Sequence, residues 1–203
     1  MAPERDGPIA GVLLAAGVSA RMGTNKLLLR LGGESVVRRA VRRALEAGLD
    51  PVLVVVGHEE AAVRAELAGL ACSPVVNAGY ALGKSASVRA GILAVPPEAI
   101  AAAVVLADMP LVTAGMLAEL VERYRRGSAP LVVSAYGDVL APPMLYDRAL
   151  FDELAAMAGD GCGKQVVERH RAEAELAPWP AAAIADLDVR ADYERIHREL
   201  DGR

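Results

Sequence analysis

Two fixed positive charges, Arg21 and Lys26, stand in a stretch otherwise made of small and polar residues, Leu14-Ala15-Ala16-Gly17-Val18-Ser19-Ala20-Arg21-Met22-Gly23-Thr24-Asn25-Lys26. Small residues let backbone N–H groups approach a phosphate closely and form an anion-binding concavity. A guanidinium fork and a point-charge ammonium would complete such a cradle. An ordinary glycine-rich turn with two surface cations has the same composition. A carboxylate, Asp108, ends the apolar run Val104-Val105-Leu106-Ala107 and precedes Met109-Pro110-Leu111-Val112. A carboxylate there is costly to desolvate unless it meets a cation or strong donors. A hard Mg²⁺ ion held against phosphate oxygens would serve; bracing the loop before Thr113 is the alternative. Two further carboxylates, Asp186 and Asp188, flank Leu187.

A fourth stretch, Asn77 to Gly91, contains Gly83-Lys84-Ser85 and invites a phosphate-loop reading. The spacing G-x-x-x-x-G-K-[ST] requires glycine at Ala78, however, and Gly79 is one residue too close to circle a β-phosphate. His58, His170 and His197 lack metal-ligand spacing, and Cys72 and Cys162, the two cysteines, resemble neither a zinc site nor a disulfide framework.

These groups need elements to position them. Ile9 to Ala16 is a short, continuously apolar run that predicts a strand covered on both faces. Ser35 caps a helix whose apolar stripe is Val36, Val37, Ala40, Val41, Ala44 and Leu45, with Gly48 at its end. Arg38, Arg39, Arg42 and Arg43 fall on its other face and read as a solvated surface. Strands are expected at 51–56, 73–76, 101–107, 131–135, 139–146 and 184–187, and helices at 59–67, 85–93, 113–126, 147–156, 164–170 and 190–200. Alternation of strand and helix predicts an α/β fold, three-layered and Rossmann-like, with a mostly parallel sheet and helices on both faces. Ligands in such sheets bind beyond the C-terminal ends of the strands, which is where each stretch above falls.

The length of 203 residues suits one domain over 9–203, after a flexible N-terminus at 1–8. An apolar fraction of 54% supports a core of Ala, Val and Leu, and the net charge of −4 leaves no basic excess to hold nucleic acid. The start of the chain reads as neither a signal peptide nor a membrane span, so a cytoplasmic protein with reduced thiols and no membrane contact is expected.

The strand followed by L-A-A-G-x-S-x-R-M-G-x-x-K resembles the signature loop of the MobA-like nucleotidyltransferases. The resemblance runs from Ile9 to about Leu200 and implies the nucleotide-diphospho-sugar transferase type of fold, with a nucleotide-binding half at about 9–112 and an acceptor-side half at about 113–203. It implies that Leu14, Ala15, Ala16, Gly17 and Gly23 bind the nucleotide, while Arg21 and Lys26 neutralise the departing pyrophosphate. The Asp108 segment resembles the family's G-D-M-P-L-V element, whose aspartate binds magnesium; Ala107 replaces the usual glycine. Asp186-Leu187-Asp188, with Asp192-Tyr193, resembles D-L-D-T-P-E-D-Y, although Val189 and Arg190 replace Thr-Pro. One of Asp186 and Asp188, with a lean to Asp188, would thus complete the Mg²⁺ site with Asp108. The Asn77–Gly91 stretch resembles an element in which Asn77, Gly83, Ser85 and Ser87 would bind base and ribose.

The subgroup it resembles most is the molybdenum cofactor cytidylyltransferases, on Pro143 to Phe151 and Gly159-Asp160-Gly161-Cys162-Gly163-Lys164; Pro142 stands where that subgroup carries His or Asn. Ala16, in L-A-A-G rather than L-A-G-G, implies CTP rather than GTP. The implied reaction transfers CMP to the phosphate of molybdopterin or its molybdenum form, with transient contact to a target molybdoenzyme. A related transferase using another NTP, or a sugar or alcohol phosphate, is the rival among enzymes. A non-catalytic cofactor carrier is the rival outside them, and the intact Gly17–Lys26 loop argues against it.

Overall fold

The computed structural model describes residues 5–19, 22–159, 161, 163–187 and 189–201. In chain order the elements are β1 (Ile9–Ala15), β2 (Arg30–Leu31), β3 (Glu34–Ser35), α1 (Val36–Glu46), β4 (Val52–Val56), α2 (Glu60–Glu66), β5 (Cys72–Val76), α3 (Lys84–Leu93), β6 (Ala101–Leu106), α4 (Ala114–Arg126), β7 (Leu131–Tyr136), β8 (Val139–Asp147), α5 (Phe151–Ala156), α6 (Lys164–Arg169), β9 (Glu175–Trp179) and α7 (Arg190–Asp201). Helix starts fall where their caps predict. Ser35 Oγ accepts from the Arg38 N–H at 3.3 Å, and Thr113 Oγ1 accepts from the Met116 N–H at 3.2 Å.

Seven strands form one sheet in the order β5-β4-β1-β6-β8-β7-β9, with β2 and β3 a separate ribbon. Every pairing in the sheet is parallel except those of β8, which is antiparallel to β6 and β7. That reversal follows from a two-residue hairpin between β7 and β8, where Gly137 supplies a positive φ of 60°. β1, β4 and β6 are buried along their whole length, whereas β5 at one edge is half exposed and carries Pro74. Proline is tolerated there because an edge strand has N–H groups that need no ladder partner.

Helices cover both faces. α1 packs with α2 and α4, and α3 packs with α5. Strand alternation separates the two sides: Gly11 meets Leu49, just after α1, while Val12 meets Gly91 of α3. Gly91 lets α3 lie directly on the sheet. A Cβ there would collide with Val12 and stand 3.0 Å from Val55. Gly91→Ala is therefore expected to lower stability by about 1–3 kcal/mol through overpacking, outweighing alanine's better helix propensity. Urea unfolding checks this, and an unchanged midpoint would show that α3 can shift outward at no cost.

Two expectations are corrected. Residues 184–187 are not a strand; they are irregular chain in which Ala185 and Leu187 fill the core. Their apolar character reflects burial without pairing. The last strand is instead β9, parallel to β7 at the sheet's other edge, where Pro178 is accommodated as Pro74 is in β5. The arginines of α1 are not a merely solvated face. Arg38 donates to the Glu66 and Ala68 carbonyls, Arg39 and Arg42 pair with Glu34, and Arg43 reaches the loop after β6.

Candidate active site

Beyond the C-terminal ends of β1 and β6 the chain forms an open cleft with a cavity volume of about 150 Å³. Leu14, Ala16 and Gly17 line it from β1 and its following loop, Gly83 and Ser87 from the start of α3, Lys26 from the 3₁₀ turn that ends that loop, and Asp108 from just beyond β6. Ser19, Leu27, Tyr80, Lys84 and Leu106 also line it and were not assigned roles from sequence. Gly17 has an exposed position and no atom within 4 Å of where a Cβ would sit, so the fold itself does not demand glycine there. A ligand that comes close to the backbone would.

The electrostatic centre of the cleft is an ion pair. Lys26 Nζ lies 2.5 Å from Asp108 Oδ2, with side chains only 12% and 19% exposed. Each charge has a local reason for its place. Lys26 opens a 3₁₀ turn whose Leu27 N–H is capped by Asn25 Oδ1 at 3.1 Å. Its own N–H donates to Ser19 Oγ at 3.3 Å, and Ser19 takes a left-handed φ of 53° to present that oxygen. Asp108 follows β6, whose end is fastened to β1 by the Ala107 N–H donating to the Leu14 carbonyl at 3.2 Å. The Arg43 guanidinium then grips the outgoing loop through the carbonyls of Pro110, at 2.6 Å, and Val112. Burial first, and repulsion from Arg39 and Arg42 second, push the Arg43 pKa down to about 10, so it remains charged at neutral pH.

The C-terminal carboxylate segment reaches this centre. The Leu187 N–H donates to the Asp108 carbonyl at 3.1 Å, tying together two stretches that are remote in sequence. Asp186 then lines a second cavity alongside the cleft. Arg21 and Asp188 lie outside the described residues, as do Asp160 and Cys162. Among the described residues, no cluster of three or more His, Cys, Asp or Glu side chains forms a metal site.

The remaining nucleotide-side residues have supporting positions. Asn77 is buried; its Nδ2 donates to Ser87 Oγ at 3.0 Å and its Oδ1 accepts from the Gly79 N–H at 3.0 Å. It thereby folds the 77–87 segment so that Gly83 and Ser87 face the cleft. Ser85 is buried and donates to the Gly159 carbonyl, which fastens α3 to the loop before α6. Ala15 is buried in β1, and Gly23 sits exposed at a turn with φ 66°; neither lines the cleft. Tyr80 is seated against Gly57, where a Cβ would come within 2.8 Å of the ring.

The second cavity adjoins the first and shares Lys84 and Leu106 with it. Its apolar wall includes Met109, Leu140, Pro142 and Met144, and Lys164 stands at its rim with Asp186. Ser134 Oγ donates to the Pro143 carbonyl at 2.7 Å and Tyr136 to the Pro142 carbonyl at 3.0 Å, which fixes that wall. No helix among the described residues is long and apolar enough to cross a membrane.

Residues 11–174 match the family model of the MobA-like NTP transferase domain. The chain is 36% identical over 129 residues to a probable molybdenum cofactor guanylyltransferase of Opitutus terrae, a match covering 64% of this chain and 62% of that protein. It is 29% identical to the purine catabolism protein PucB of Bacillus subtilis, over 95% of this chain and 97% of PucB. Among solved structures, Rv0371C of Mycobacterium tuberculosis H37Rv in complex with manganese superposes with a TM-score of 0.80 at 27% identity, covering 97% of this chain and all of that one.

Proposed function

The chain belongs to the MobA-like NTP transferase family, and from that premise we propose that it is a cytosolic, Mg²⁺-dependent cytidylyltransferase acting on a phosphorylated pterin, molybdopterin or its molybdenum form. The observation that carries the reading is the Lys26–Asp108 pair inside a glycine-lined cleft, docked by Leu187 to the Asp186 segment. Residues 9–112 would hold the nucleotide and 113–203 most of the acceptor wall, within the single domain 9–203. A phosphate oxygen of the acceptor attacks the α-phosphorus of CTP. The new P–O bond makes a phosphoanhydride, the α–β bond breaks, and pyrophosphate leaves with its electron pair. The attacking phosphate is already anionic, so the reaction needs positioning and charge compensation rather than a general base.

The residue roles rest on the family resemblance, and placement supports them for the residues that line the cleft. Backbone groups from Leu14 to Gly17, with Gly23 on the same loop, cradle the triphosphate; Lys26 and Arg21 neutralise the departing pyrophosphate. Gly83 and Ser87 border base and ribose, with Asn77 and Ser85 holding their segment in shape. Asp108, with Asp186 or Asp188, would hold the divalent ion. The donors fit a hard cation, being carboxylate oxygens without sulfur or imidazole, and Asp108 already balances one cation, the Lys26 ammonium. Manganese in the structure of the relative Rv0371C supports a divalent ion. When bound, the ion withdraws charge from the phosphoryl oxygens.

Ala16 in the cleft wall supports CTP, whereas the name of the Opitutus relative favours GTP as a second reading. Incubation with each of the four NTPs, Mg²⁺ and molybdopterin, followed by product analysis, separates them. CTP is expected to give the pterin cytosine dinucleotide and stoichiometric pyrophosphate. A guanine dinucleotide formed in preference would move the assignment to GTP. Binding of the pterin product without pyrophosphate release from any NTP would point to a carrier. Transfer to a sugar phosphate in preference to the pterin would replace the acceptor.

A further inference from the structure

Two lysines around the second cavity have no partner among the described residues. Lys84 and Lys164 make no ion pair or hydrogen bond among the described residues, although arginines throughout the chain are paired with carboxylates or carbonyls. Both are exposed. Each occupies the first position of its helix, α3 or α6, with no acidic residue in the first turn. A cation at that end of α3 meets the positive pole of the helix dipole, a mildly unfavourable place for it. No described residue compensates the cost, so a ligand anion is the natural source of compensation.

Placement says which anion. The nucleotide cleft and the second cavity share only Lys84 and Leu106, so the Lys84 ammonium stands on the boundary between donor and acceptor. Lys164 borders the second cavity alone. The wall between them is apolar, with Met109, Pro142 and Met144, and cannot itself solvate a phosphate. We propose that Lys84 is a positioning residue that holds the acceptor's phosphate at the mouth of the nucleotide cleft, with Lys164 gripping the same acceptor from the far side. The assignment rests on the transferase reading above and adds to it the group that selects an anionic nucleophile over a neutral hydroxyl.

The test uses the full chain with inorganic phosphate as probe. Mg²⁺ and the non-hydrolysable α,β-methylene analogue of CTP first saturate the nucleotide cleft, and phosphate is then titrated by calorimetry. Wild-type protein is expected to bind phosphate saturably. Lys84→Gln should weaken that binding about 10- to 100-fold, the loss of one charge-assisted hydrogen bond, with the affinity for the nucleotide analogue unchanged. Lys84→Arg should retain most of it, and Lys164→Gln should show a smaller loss. In turnover with molybdopterin, Lys84→Gln should raise the acceptor KM and leave the CTP KM in place. Equal phosphate binding by wild type and Lys84→Gln, or none by wild type, overturns the proposal. So does a parallel loss of nucleotide affinity, which would assign Lys84 to the triphosphate. Failure of transfer to every acceptor, with Lys84-dependent phosphate binding intact, would instead count against the transferase reading and leave the phosphate assignment standing.

Discussion

Asp108→Asn is expected to bring NTP-dependent pyrophosphate release to about a thousandth of the wild-type rate or less, the upper end of what removing one transition-state charge stabiliser costs. Asparagine has the shape of aspartate, and the contacts that place residue 108 are made by the backbone: the neighbouring Ala107 N–H bonds to Leu14, and the residue 108 carbonyl accepts from Leu187. Arg43 holds the following loop through the carbonyls of Pro110 and Val112. The amide oxygen can still accept from the Lys26 ammonium, so no bare donor is left in the cleft. What disappears is a negative charge. A hard divalent ion loses a ligand that an amide replaces weakly, and Lys26 loses its counter-charge. Pyrophosphate release followed by a coupled assay, with thermal unfolding on the same samples, separates loss of chemistry from loss of fold. Excess Mg²⁺ should not restore the rate. A variant with wild-type turnover would remove Asp108 from the reaction.

Much of this site could be read from the sequence because its chemistry imposes local spacing. A phosphate cradle would need small residues directly after a strand, and Ala16 and Gly17 stand directly after β1. Caps are equally local, so Ser35 and Thr113 announce α1 and α4. Long-range contacts leave no such mark. Arg43 and the carbonyl it grips are 67 residues apart, and a helix-face arginine reads the same whether water or a distant loop receives it. The pairing of Lys26 with Asp108 is likewise a property of strand order, since it depends on β6 lying beside β1. β9 escaped for a different reason. Its charged Glu175 and its Pro178 argue against a strand, and only an edge position makes them acceptable. Residues 184–187 misled in the opposite sense, because their burial comes from plugging the core beside Asp108 rather than from pairing. Lys84 was visible as part of a near-miss phosphate loop, but its place on the boundary of two cavities exists only in three dimensions.

The Lys26–Asp108 pair also sets what removal of the lysine should do. The ammonium is engaged with Asp108, so in the proposed reaction it would exchange that carboxylate for phosphate oxygens as nucleotide enters. Lys26→Ala is expected to slow transfer by about 10²–10³-fold, the loss of one preorganised donor at the developing charge. Two roles could produce that number: neutralising the pyrophosphate as it leaves, or merely balancing Asp108. Leaving-group basicity separates them. A β,γ-methylene analogue of CTP leaves as a more basic bisphosphonate than pyrophosphate, and a β,γ-difluoromethylene analogue leaves as a less basic one. A lysine that bears on the leaving group matters most when that group carries its charge poorly. The deficit of Lys26→Ala should therefore widen with the methylene analogue and narrow with the difluoromethylene one, while Lys26→Arg, which keeps the charge but not the point geometry, falls between. A deficit of constant size across the series would make Lys26 a counter-ion to Asp108 alone, and an undiminished rate would take it out of the reaction altogether.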